Sequence, residues 1–138
     1  MKFSFDFNSL SRWRLLILSF QTLSRCDCHK VDNGKLILSS EIKRNLYKIS
    51  TGVNFGDIEL GMSAHGCPLA VKRSYQYASV CSPSLSTLLQ TTITPLIGIR
   101  DEHILEYVQC ILETKEIFLT TPLCEFNLGE YIAYLKLY

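Results

Sequence analysis

Leu69-Ala-Val-Lys-Arg73 is the stretch from which the fold of this chain is read. An extended segment sends successive side chains to opposite faces, so Ala70 and Lys72 share one face and Leu69 and Val71 the other. Upstream, Ser63-Ala-His-Gly-Cys-Pro68 carries turn chemistry, and before it Asp57-Ile-Glu-Leu60 alternates polar and apolar residues with a strand's period of two. Leu46-Tyr-Lys-Ile-Ser50, followed by Gly52 to Gly56, pairs with that strand as a hairpin. Downstream, Ile104 to Leu112 and Ile117 to Thr121 are rich in β-formers and are joined by the polar Glu113-Thr-Lys-Glu116, which predicts a second hairpin. The total is a mostly antiparallel sheet of five strands.

The chain closes on a helix from Asn127 to Leu137. Leu128, Tyr131, Ile132 and Leu135 fall at i, i+3, i+4 and i+7, with Asn127 as N-cap and Glu130 three residues later. Residues 82 to 99 carry a weaker helical signal, diluted by Ser, Thr and two prolines. The fold class is therefore α+β, with one or two helices. Residues 1–44 read as a leader or linker: Phe3, Phe5 and Phe7 alternate, Arg12-Trp13-Arg14 is basic, and Val31-Asp-Asn-Gly34 is a turn sequence.

Composition sets limits on function. At 138 residues and 47% hydrophobic, the chain is one domain with enough apolar material for a core. Fourteen basic against 13 acidic residues leave a net charge of +1, which removes the electrostatic argument for nucleic acid or an anionic membrane. The apolar run Leu15 to Leu18 is far shorter than the roughly 20 residues of a membrane span. Leu15-Leu-Ile-Leu-Ser-Phe20 only approaches a secretory h-region and no small-residue cleavage site follows, so a cytoplasmic location is favoured. Cys26-Asp-Cys28-His29 has no second ligand pair downstream, and free thiols in a reducing compartment are expected of the six cysteines.

The succession of hairpin, lysine strand, helix, hairpin and short linker into a helix resembles the small lobe of eukaryotic protein kinases over residues 45–138. Leu69-Ala-Val-Lys72-Arg73 looks like the third-strand V-A-[IV]-K motif, whose lysine meets the α and β phosphates of a nucleotide. Thr51-Gly-Val-Asn-Phe-Gly-Asp-Ile58 resembles the glycine-rich loop over the phosphates, matching at its Phe-Gly-x-[IV] end. Within kinases, Ala70-Val-Lys-Arg73, Ile99-Arg-Asp-Glu-His-Ile-Leu-Glu-Tyr107 and Leu123-Cys-Glu-Phe-Asn-Leu-Gly-Glu-Tyr-Ile132 are most similar to the inositol-requiring stress-sensor kinase/endoribonucleases and ribonuclease L. The resemblance implies ATP as ligand. Gly52, Phe55, Gly56, Ile58, Ala70 and Lys72 would line its site, Thr121 would be the gatekeeper, and Leu123 and Cys124 would form the hinge whose backbone meets adenine.

The chain also departs from that family. The first two loop glycines are replaced by Thr51 and Val53, whose side chains hinder close backbone approach to phosphate. From Arg73 to Arg100 there is no acidic residue to pair with Lys72, and the expected glutamate falls near Ile93, two residues before Pro95. Proline within a helix costs about 3 kcal/mol, so that helix is expected to be shortened, displaced or absent. Neither H-R-D-x-x-x-x-N nor D-F-G occurs in these residues, so the catalytic base and the magnesium ligands are missing.

Two expectations follow. One is an ATP-binding fragment of a serine/threonine kinase that does not complete phosphoryl transfer, with a large lobe or another protein as partner. The other is a pseudokinase-type interaction module that kept the fold and lost the pocket. His29, His65 and His103 stand among turn residues with no triad partners, and Asp101, Glu102 and Glu106 read as a solvated edge.

Overall fold

The computed structural model describes residues 11–52, 56–75, 91, 94–99, 101, 103, 105–113, 116–124 and 128–137, with an α+β arrangement around one curled antiparallel sheet. Its strands are β1 (Cys28–Val31), β2 (Leu36–Ser39), β3 (Lys48–Gly52), β4 (Gly56–Ser63), β5 (Pro68–Tyr75), β6 (Gln109–Leu112) and β7 (Glu116–Pro122). The order across the sheet is β1-β2-β4-β5-β7-β6, with β3 also paired to β4. One edge of β4 serves two partners. Asp57 and Glu59 face β3, whereas Met62 and Ser63 face Ile37 and Leu36 of β2.

The sheet has seven strands rather than the five expected, because the segment read as a leader supplies β1 and β2. Their turn is Asp32-Asn33-Gly34, with φ of 50°, 57° and 86°. Asp and Asn visit the left-handed region more readily than other side chains and glycine enters it freely. The turn chemistry of Val31-Asp-Asn-Gly34 is thus a hairpin connection. The hairpin was hard to see because Cys28-His-Lys-Val31 buries only Val31 fully.

The added hairpin changes which faces are buried. Val31, Leu36, Leu38, Leu69, Val71, Ile111 and Phe118 form one buried cluster on the face enclosed by the curl. Gln109 Nε2 donates to the Lys35 carbonyl at 3.1 Å, tying the last strand in the order back to the β1–β2 turn. Gly61 is needed at this closure: a Cβ there would lie 2.7 Å from Val71 Cγ2 and 3.2 Å from Leu38 Cδ2. The opposite face carries a second cluster of Phe20, Tyr47, Leu60, Met62 and Leu123. Glu59, a polar position in the alternating Asp57-Ile-Glu-Leu60, is 2% exposed because both faces of β4 are covered.

Helix α1 (Arg14–Gln21) covers the second face, and α2 (Leu128–Leu137) follows β7. Among the described residues, neither helix is long and apolar enough to cross a membrane. The N-cap assigned to Asn127 lies outside the described residues, as does most of the weak helical segment 82–99. Within it Thr91 is helical, and a 3₁₀ turn follows at Thr94–Leu96, in keeping with Pro95. The strand expected from Ile104 begins only at Gln109.

Candidate functional site

The antiparallel register decides which of the expected site residues meet. Ile58 stands opposite Lys72 and Lys72 opposite Leu119, so these three form one cross-strand row. In the next row Leu60 faces Ala70 and Ala70 faces Thr121. Alternation places both rows on the same face, with adjacent strands about 4.5–5.5 Å apart. Residues from three separate stretches, Ile58, Ala70, Lys72 and Thr121, therefore converge on one half-buried patch. Leu123, 7% exposed, and the exposed Cys124 follow directly from the end of β7.

Gly52 and Gly56 are register partners at the turn end of the β3–β4 hairpin. Phe55, between them, lies outside the described residues, and so does Ile93, where the lysine's glutamate partner was placed. The two glycines are held opposite each other, two residues along β4 from the Ile58–Lys72 row.

The end of this patch beside Leu123 and Cys124 is covered by another element. Trp13, Leu16 and Ile17, from the start and first turns of α1, pack with Ala70 around the cluster that contains Leu60 and Leu123. The Trp13 indole N–H donates to the Cys124 carbonyl at 2.8 Å. Further along, Ser19 Oγ and Tyr47 Oη are 2.9 Å apart, and Phe20 meets the Tyr47 ring edge-on at 5.3 Å between centroids. Arg12 lies 4.4 Å above the Trp13 ring and its guanidinium sits 2.6 Å from Glu130 of α2. With α1 docked, the Cys124 carbonyl is bonded by Trp13 and the apolar surface around Ala70 is covered.

Arg73, one residue beyond Lys72, points into the other face and organises a buried ionic cluster. Its side chain is 2% exposed and lies 2.8 Å from Glu59, 2.6 Å from Glu41 and 3.8 Å from Glu116. Arg44 approaches Glu59 at 3.3 Å. Both Glu59 oxygens are close to cations without the alignment of a hydrogen bond. Burial pushes the Glu59 carboxyl above its ordinary range, against the pull of Arg73 and Arg44. The cleft beside it, about 330 Å³, is lined by Cys28, His29, Ser39, Ser40, Glu41, Arg73 and Glu116. With carboxylates and a guanidinium on the same wall it selects neither anion nor cation.

Sequence reading passed over Arg73 and Glu59. The signal was present, since Arg73 shares its face with Leu69 and Val71, and a charge continuing an apolar face of a strand needs a buried partner. Other candidates are accounted for locally. Among the described residues no group of His, Cys, Asp and Glu could hold a metal ion, Cys26, Cys28 and His29 included. Burial raises the Cys28 thiol, with Asp27 adding to it, which disfavours the ligating thiolate. Cys26, Cys28, Cys67, Cys110 and Cys124 form no disulfide. Asp101 accepts the backbone N–H of His103 at 2.8 Å, an Asx-type turn rather than acid–base chemistry. No protein-family model and no curated protein matches this chain.

Proposed function

We propose that this chain is a kinase-like small lobe that binds ATP on the Ile58–Lys72 face and does not itself transfer phosphate. The observation that carries the reading is the register: four residues assigned by motif, from three separate stretches, fall in two adjacent rows of one face. A random scatter of motif matches over both faces of a seven-stranded sheet would have no reason to do so. In this reading Lys72 meets the phosphates, Ala70 leaves room for a flat ring above it, Thr121 borders the ring, and the Cys124 backbone meets its edge. The same motif set holds no base and no metal carboxylate, so the role is binding rather than turnover.

A second reading, an interaction module without nucleotide, is favoured by one observation: α1 covers the apolar end of the patch. Thermal denaturation of the full chain with ATP and magnesium separates the two. A ligand of the native state raises the midpoint, and saturation a hundredfold above Kd contributes about 2.7 kcal/mol. The binding reading predicts an ATP-dependent rise that Lys72→Ala removes. No rise at millimolar ATP, in the intact chain or with α1 loosened by Trp13→Ala, supports the interaction module instead.

A further inference from the structure

We infer that α1 is an internal competitor of the nucleotide, with the Trp13 indole standing in the place of adenine. The inference rests on the nucleotide reading above and concerns how that site is regulated. Its added ground is the contact that Trp13 makes. Trp13 is a flat bicyclic aromatic whose N–H is satisfied by the Cys124 carbonyl at 2.8 Å, the kind of hydrogen bond an adenine amino group makes to backbone. The helix that follows it fills the cluster of Leu60, Met62 and Leu123 on which Ala70 sits. A ring placed beneath Ala70 and bonded to the hinge would need the volume and the acceptor that Trp13 uses. Both cannot be there together.

The contact is also built to be reversible. Trp13 is half-buried, Arg14 and Leu15 are exposed, and the ion pair of Arg12 with Glu130 of α2, just ahead of α1, has side chains about a third exposed. An ion pair at that exposure contributes little. The firm anchor lies two turns on, where Phe20 is 4% exposed and packs on Tyr47. The N-terminal end of α1 can therefore lift from the hinge while its C-terminal end stays docked. Apparent nucleotide affinity is then the intrinsic affinity reduced by the fraction of molecules with Trp13 released.

Trp13 is the single tryptophan of the chain, so its emission reports the competition directly. Three forms are compared by ATP titration: the intact chain, Trp13→Phe, which keeps apolar packing and loses the N–H, and Trp13→Ala. Binding is read by thermal midpoint in all three, and by red-edge-excited emission and acrylamide quenching in the intact chain. The competition predicts that ATP shifts Trp13 emission to the red and raises its quenching over the same concentrations that raise the midpoint. It also predicts tighter ATP binding by roughly tenfold in Trp13→Ala, with Trp13→Phe between. If ATP stabilises the intact chain while emission and quenching stay fixed, or all three forms bind equally, the competition is wrong and the nucleotide reading stands. If no form binds ATP, the nucleotide reading fails and the competition with it. Trp13→Phe covers the case in which Trp13→Ala does not fold.

Discussion

Lys72 and Arg73 are neighbours in sequence that the pleat of β5 sends to opposite faces, one to the half-buried face it shares with Ala70 and one to a cluster of carboxylates in which Glu59 is fully buried. Replacing Arg73 by Met leaves Glu59 enclosed without its closest cation, and a broken buried pair costs about 3–5 kcal/mol, measurable by urea denaturation. Glu59→Gln has the opposite character. Because the folded pKa of Glu59 is raised by burial, the native state holds its proton more tightly than the unfolded chain does. Its contribution to stability is complete below the unfolded value, near 4.5, and is lost as pH rises through the folded value. The difference in stability between Glu59→Gln and the parent should therefore move in favour of the variant as pH rises across that window, and flatten above it. Asp27, lowered by its hydrogen bonds to Lys43 and Ser24, acts with the reverse sign and cancels in the difference. Gly61→Ala places a Cβ against Val71 and Leu38 and is expected to cost about 1–3 kcal/mol in the same assay.

At the scale of elements, α1 is held by Phe20, whose truncation to Ala should cost roughly 3–5 kcal/mol and expose Tyr47. The elements legible in the sequence are those with both a period and a punctuation mark. Strands β3, β4, β5 and β7 sit between turn signals such as Ser63 to Pro68, and α2 has its stripe at helical spacing. What was not legible depends on contacts across the fold. Leu36-Ile-Leu-Ser39 is a short unbroken apolar run, the mark of a strand covered on both faces, but nothing local says that a sheet starting about ten residues later will cover it. The same holds for Trp13: its place on the Cys124 carbonyl is 111 residues away in sequence and follows from no periodicity. That Ala70 and Lys72 share a face follows from alternation within one strand, whereas the placing of Ile58 and Thr121 on that same face required the register.

On the whole molecule, apolar side chains remain in water at several points. Ile132 and Leu135 of α2, Leu15 of α1, and Ile42 and Leu46 before β3 are all exposed. Their number predicts association at high concentration, and Ile132→Glu with Leu135→Glu should lower it without moving the unfolding midpoint, as followed by light scattering and calorimetry. The sheet is covered on both faces, with α1 on the face of Lys72, and the proposed nucleotide binding rests on that lysine. The most direct test is labelling with a lysine-reactive acyl phosphate of ATP, which transfers its acyl group to an amine held beside the phosphates and releases ATP, followed by peptide mapping. The account predicts amide formation at Lys72, suppressed by free ATP and increased by Trp13→Ala. Label spread over exposed lysines such as Lys30, Lys35 and Lys136, insensitive to free ATP, would contradict it.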